Sequence, residues 1–134
     1  MASQIKVYKV KDFVRQTATG EIDFDGSLQI IHELAAAARF FVDHNILIDM
    51  RETTIVGVNS IGAILQMSFE MAAYKSSFRG KIANVVPDDE QRLYVARQFR
   101  ASLHLQGFSY EVFTNFEDAI DWLSEVTELG KNNS

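Results

Sequence analysis

The sequence predicts an α/β domain of element order β-β-α-β-α-β-α-β-α, built as a mixed sheet with packed helices. Three observations indicate this class. Segments rich in β-branched and aromatic residues lie near the amino-terminal end. Short apolar runs bounded by turn residues follow, as expected for strands covered on both faces. Between these runs, apolar residues are spaced three and four apart, which is typical of amphipathic helices. Strands that alternate with helices favour a sheet whose later strands are largely parallel.

The first two strands are expected to pair as a hairpin. Residues 5–10 combine β-branched and aromatic side chains with lysines, which suits a strand with one solvated face. Residues 14–19 form the second predicted strand, and Gly20 ends it. Lys11 and Asp12 lie near the expected turn.

Four helices and three further strands are predicted after the hairpin. Asp25 and Ser27 can accept hydrogen bonds from free backbone amides, so they indicate the start of a helix that runs to about Asp43. The other strands are predicted at 46–50, 82–86 and 110–114, and the other helices begin at Asn59 or Ser60, at 88–90, and at Asn115 with a stripe that reaches Val126.

Length and composition indicate one domain at 1–129 followed by a disordered tail at 130–134. The chain has 134 residues, of which 47% are hydrophobic and 23% are charged, as in ordinary globular proteins. It has no cysteine, which excludes disulfides, thiolate zinc sites and cysteine nucleophiles. The three histidines share no metal-ligand spacing, so neither a metal nor a cofactor is expected.

The charge and the apolar runs limit the partners and the location. A net charge of −5 argues against nucleic acid, because phosphate binding requires a basic face. The chain does not open on an apolar run behind basic residues, and no apolar stretch approaches the roughly 18 residues that span a bilayer. We therefore expect a cytoplasmic protein without membrane insertion.

Three stretches resemble the STAS domain, the family of bacterial anti-sigma-factor antagonists. Residues 20–23 (Gly-Glu-Ile-Asp) are similar to the family's Gly-Glu-Leu-Asp, and residues 46–50 (Ile-Leu-Ile-Asp-Met) are similar to its central strand. Residues 57–62 (Gly-Val-Asn-Ser-Ile-Gly) lie where the family has Asp-Ser-Ser-Gly-Leu-Gly. Residues 82–88 and 110–123 resemble the SpoIIAA-like branch more closely. The resemblance covers about 14–125 and implies a bacterial regulatory protein that binds proteins.

One departure from the family changes the expected mechanism. In the antagonists, a kinase phosphorylates the second serine of Asp-Ser-Ser-Gly. That position is Asn59 here, and Ser60 stands one residue later, in the glycine position. The resemblance therefore implies a module without the usual phosphorylatable serine.

The turn before the second helix is the candidate binding site. A helix start offers free amides and a positive dipole end, so Gly57, Val58, Asn59, Ser60 and Ile61 form a candidate site for an anion or a partner's carboxylate. Simple capping of the helix by Asn59 or Ser60 is one alternative, and phosphorylation of Ser60 is another. The helix itself is apolar on more than one face. It either packs between the sheet and a neighbour or offers its outer face to a partner.

Two further sets of residues are candidates for a ligand pocket and for a structural role. Met50, Met67 and Met71 form the candidate ligand pocket, because thioether side chains fill irregular space; core packing is the alternative. Asp49, at the end of a buried strand, needs hydrogen-bond partners and is expected to be structural, accepting from the amides of 51–54.

No arrangement of nucleophile, base and orienting group is apparent, and no phosphate-binding glycine loop occurs, so we expect no catalytic residues. The sequence favours a non-catalytic regulatory module of a bacterium that binds another protein or itself, with a homodimer as one form. The alternative is a carrier or sensor of a small apolar or lipid-like ligand, for which a fold-level likeness to CRAL-TRIO lipid carriers is an analogy. A lipid carrier would need an enclosed cavity of several hundred Å³.

Overall fold

A computed structural model describes residues 5–9, 12–58 and 60–129, with side chains described for 12–58 and 60–124. The predicted tail at 130–134 and Asn59 lie outside the described residues. The strands are β1 (Ile5–Lys9), β2 (Phe13–Ile22), β3 (Asn45–Ile55), β4 (Ile82–Val85), β5 (Tyr110–Phe113) and β6 (Glu125–Leu129), and the helices are α1 (Phe24–Ala38), α2 (Ile61–Ala72), α3 (Glu90–Leu105) and α4 (Phe116–Leu123).

The main sheet has four strands in the order β2-β3-β4-β5, and every pair in it is parallel. The expected mixed sheet is therefore not confirmed. The helices supply the crossovers that parallel neighbours require. In the register, Ile46 lies opposite Ile82, and Ile82 lies opposite Tyr110, so buried apolar residues face one another across the sheet centre.

The predicted amino-terminal hairpin is wrong, because β1 and β2 do not pair with each other. Strand β1 pairs antiparallel with β6 in a separate two-stranded sheet, with Ile5 opposite Leu129 and Lys9 opposite Glu125. Strand β2 pairs along its length with β3.

The last helix was expected to include Val126, but it ends at Leu123. The Val-Thr pair beyond it favours extended backbone.

Helices α1, α2 and α3 cover one face of the sheet, and α4 covers the other. Alternate residues of β3 serve the two sides, since Ile46, Ile48 and Met50 join the core below α1–α3, whereas Leu47 joins the core below α4. Each helix begins at a side chain that accepts from an amide of its first turn; these residues are Asp23, Ser60, Asp89 and Asn115. The capping residue of α1 is thus Asp23, two residues before the predicted Asp25, and the helix ends at Ala38 rather than near Asp43.

A register shift in the β2–β3 pair changes which face the later residues of β3 occupy. Thr17 lies opposite Asp49, but Thr19 lies opposite Glu52, so β3 contains one extra residue. One extra residue inverts the side-chain alternation. Consequently Thr53 lies on the α3 side, where Arg92 donates to its carbonyl at 2.7 Å and to its hydroxyl at 2.9 Å.

Candidate functional site

The turn before α2 has one buried anchor, and the rest of its described residues are exposed. Gly57 has a φ of +71°, a left-handed conformation that favours glycine. Val58 is only 1% exposed, so it fastens the turn to the core and is not available to a partner. Ser60 begins the helix, and its Oγ accepts from the amide of Ala63 at 3.1 Å. The part of the proposed site that falls on Asn59 lies outside the described residues.

The outer face of α2 continues the exposed surface away from this turn. Ile61, Leu65 and Phe69 follow one another at intervals of four residues and are 50%, 40% and 62% exposed. Residues four apart lie on the same side of a helix, so the three side chains form one apolar stripe. We call Ile61, Leu65 and Phe69 the α2 stripe. The opposite face of the helix is buried; its members are Ile64, Met67, Ser68 and Met71.

A cavity of about 90 Å³ lies between the inner face of α2, helices α1 and α3, and the sheet. It is partly open to the surface. Met50, Met67 and Met71 all contribute to its wall, so the structure brings the three predicted pocket residues together. The other apolar residues of the wall are Ile30, Ile31, Leu34, Ile48, Ile55, Val86, Val95, Ala96, Phe99 and Tyr110.

Asn84 brings an amide to this apolar wall. It lies in β4 directly opposite Ile48 and is 8% exposed. Its Nδ2 donates to the hydroxyl of Tyr110 at 2.6 Å. Its Oδ1 is buried and has no hydrogen-bond partner in the part of the chain that the structure describes. Burial raises the pKa of Tyr110 far above its ordinary value, so this hydroxyl stays neutral and can serve as acceptor or donor.

Arg92 closes another side of the cavity. It is 9% exposed, and its guanidinium is held by the two hydrogen bonds to Thr53. Burial lowers the pKa of Arg92 below its ordinary value, because removal from water disfavours the charged form. The guanidinium therefore links α3 to the irregular part of β3 at the cavity wall.

Asp49 lies on the α4 side of the sheet, away from the cavity. Its carboxylate accepts from Nη2 of Arg15 at 2.9 Å and from Nε, Nη2 and the backbone amide of Arg51 at 2.9, 2.8 and 3.2 Å. The hydrogen bonds of Arg51, opposed by burial and helped by Arg15, lower its pKa to about 2. Both guanidinium groups also lie over the ring of Phe116. The amide of Arg51 is thus one of the donors that the sequence predicted, and the two guanidinium groups are further donors.

Sequence reasoning missed Asn84 and Arg92. The signal for Asn84 was one amide in the apolar run Ile-Ala-Asn-Val-Val, since a buried polar group needs a partner. Arg92 follows three acids at a helix start, where an arginine is usually solvated, and only the bulge in β3 explains its burial.

Among the described residues, no group of three or more His, Asp or Glu is placed to hold a metal ion. None of the helices in the described ranges is long and apolar enough to cross a membrane.

The fold is that of a known structure. No family model and no curated protein matches the sequence. The chain is similar in structure to an uncharacterized protein of the DUF3478 family from Shewanella loihica PV-4, described as having a SpoIIAA-like fold. The TM-score is 0.52 at 16% identity, over 92% of this chain and 95% of that one. The chain therefore has a SpoIIAA-like fold, as the resemblance of its sequence motifs predicted.

Proposed function

We propose that this protein is a non-catalytic regulatory module of a bacterial cytoplasm that binds a different protein through α2 and the turn before it. The single observation that carries the proposal is the α2 stripe: three large apolar side chains stand exposed in a row on a helix whose other face is packed. The SpoIIAA-like fold supports a STAS-type regulatory role, and the similar structure comes from a bacterium.

The composition of α2 suits the centre of an interface. Glu70 is the one charged residue within the helix. Interface centres are depleted of charge and enriched in aromatic and other large apolar residues. Fully burying side chains such as Leu65 or Phe69 contributes about 1.5–3 kcal/mol each, so a partner that covered the stripe would gain several kcal/mol before the costs of association.

Phosphorylation of the usual design is not part of this proposal. The position that carries the serine in the antagonists is Asn59, which has no hydroxyl. The hydroxyl of Ser60 accepts a hydrogen bond from the first turn of α2, so it already stabilises the helix start. We infer that partner binding here is set by the shape and apolar surface of α2 rather than by a phosphate.

The lipid-carrier alternative has less support from the geometry. Pockets for drug-sized ligands usually enclose about 300–1,000 Å³. The cavity below α2 has about 90 Å³, which cannot enclose a long acyl chain. The exposed stripe, by contrast, has the kind of apolar surface that marks protein contacts.

Cross-linking at two exposed phenylalanines tests the proposal. Phe69 belongs to the stripe and is 62% exposed, whereas Phe40 follows the end of α1 and is 77% exposed. A photo-reactive phenylalanine analogue is placed at either position, and the protein is irradiated in its host. We expect one specific adduct with a different protein from position 69 and none from position 40.

Variants of the same residues then measure the contribution to binding. Phe69→Ala and Leu65→Asp are expected to weaken binding of the cross-linked partner at least tenfold, while the matched variant Phe40→Ala leaves it unchanged. All three should keep the melting temperature of the wild type within a few degrees, because the side chains are exposed. Equal cross-linking from both positions, or an adduct made only of two copies of this chain, would contradict the proposal.

A further inference from the structure

We propose that the cavity below α2 binds a small neutral molecule that is apolar except for one hydroxyl, with this hydroxyl on the amide of Asn84. This goes beyond the proposed partner binding, because the ligand lies against the inner face of α2 and the partner against the outer one. The site combines a wall of apolar side chains with one buried amide that lacks a partner on one of its two polar atoms among the described residues.

The size of the cavity limits the ligand to a small ring or a short chain. An engineered apolar cavity of roughly 150 Å³ stays dry and takes up benzene. At about 90 Å³ the present cavity is smaller, but it is partly open, and three of the chain's four methionines contribute to its wall. Unbranched thioether side chains change rotamer readily, so Met50, Met67 and Met71 can adjust to a ring of six carbon atoms.

The amide of Asn84 supplies the polar end. Its Nδ2 group donates to the hydroxyl of Tyr110, and its Oδ1 has no partner among the described residues. Turning the amide by 180° would let the tyrosine hydroxyl donate to the oxygen, and the NH2 group would then lack a partner instead. In either orientation one polar atom of a side chain that is only 8% exposed is unpaired within the part of the chain that the structure describes. Because this atom is itself buried, the ligand reaches it only when the side chains around it shift.

A hydroxyl suits this amide better than other polar groups do. It both donates and accepts, so it matches either orientation of Asn84. A carboxylate would need a free cation, and Arg92, the one charged residue among those that line the cavity, already donates from both of its terminal nitrogens to Thr53. Ser27, Arg92 and Tyr110 are the other polar side chains of the wall, so a water is the competitor that the ligand has to displace.

The probes are phenol and toluene, two rings of similar size that differ in the hydroxyl. The protein is labelled with ¹³C in its methionine methyl groups, and binding is followed by NMR. We expect phenol to shift the methyl signals of Met50, Met67 and Met71 and to bind at least as tightly as toluene. A purely apolar cavity would prefer toluene, because burying an unbonded hydroxyl is unfavourable.

The variant with Asn84→Leu and Tyr110→Phe removes both polar groups while nearly keeping the shape of the wall. It should bind phenol at least tenfold more weakly than the wild type and toluene within about threefold. Ala96→Leu, which fills the cavity, should abolish binding of both probes, and Phe40→Ala, at an exposed residue beyond the end of α1, should change neither.

Three results would overturn the proposal. The first is that neither probe shifts the methionine signals, which means that water alone occupies the cavity. The second is that the wild type binds toluene more than tenfold more tightly than phenol. The third is that the double variant, shown to be folded by its NMR spectrum, binds phenol as tightly as the wild type.

Discussion

Replacing Asp49 with asparagine is expected to destabilise the fold by an amount that depends on pH. Asp49 is only 5% exposed, and its carboxylate forms ion pairs with both Arg15 and Arg51. An asparagine side chain at this position would keep the shape but lose the negative charge, leaving two guanidinium groups beside each other. The change therefore isolates the charge of one buried carboxylate, because the packing against α4 is preserved.

The lowered pKa of Asp49 sets the magnitude of the expected loss of stability. A fall from 3.8 to about 2 corresponds to about 2.4 kcal/mol of stability at neutral pH. The side chains of Arg15 and Arg51 are 46% and 39% exposed, so water screens part of the interaction. We therefore expect Asp49→Asn to lower the free energy of unfolding by roughly 1–2 kcal/mol at pH 7.

The sign of the pH dependence follows from the direction of the pKa change. The pKa of Asp49 is lower in the folded state than in the unfolded state, so its stabilisation is complete well above pH 4. It is lost as the pH falls toward 2, where the folded state also takes up the proton. At pH 3 about half of the difference between wild type and variant should remain.

Urea unfolding of the two proteins at pH 7 and pH 3 measures this difference. Asp43→Asn is the matched control, because Asp43 is an exposed aspartate, and it should change stability by less than about 0.5 kcal/mol at either pH. An equal loss for Asp49→Asn at both pH values would assign the effect to packing. No loss at pH 7 would show that the carboxylate contributes no net stability.

Two further changes test the turn before α2 and are checked by urea unfolding. Ser60→Ala removes the side chain that accepts from the first turn, and it should cost about 1 kcal/mol; no loss would mean that water replaces the cap. Gly57→Ala should cost about 1–2 kcal/mol because of its φ of +71°, although a Cβ there would meet no atom within 4 Å. Gly62→Ala is its control, since it lies within the helix with equal space and should be stabilising by about 0.5 kcal/mol. Equal effects of the two glycine changes would contradict this reasoning.

The sequence predicted most of the elements but not the partner of every strand. Apolar periodicity identified all four helices and the strands near 46–50, 82–86 and 110–114. Apolar periodicity indicates which residues are buried, but it does not indicate which two strands pair with each other. The pairing of β1 with β6 joins the two ends of the described chain, so no local pattern could distinguish it from a hairpin.

Strand β3 shows a second limit of the same kind. The apolar run at 46–50 marked its first half, which is covered on both faces. The second half, through Ile55, is mostly polar and pairs with the end of β2 beyond the reach of β4. The extra residue near Thr53 arises only in that pairing. For this reason the hydrogen bonds from Arg92 to Thr53 were not visible in the sequence, although the three methionines of the cavity wall were predicted to lie together.

The exposed face of helix α2 could not be predicted from the sequence alone. Its apolar residues lie on two faces, and hydropathy alone cannot say which face is packed. Ser68 is fully buried and bonded to Ser102 of α3, whereas Phe69 beside it stands in solvent. The apolar side chains of the α2 stripe therefore contribute little to folding, and polar replacements there should leave stability nearly unchanged. An effect of Phe69→Ala on partner binding would accordingly report on the surface itself, because Phe69 is 62% exposed.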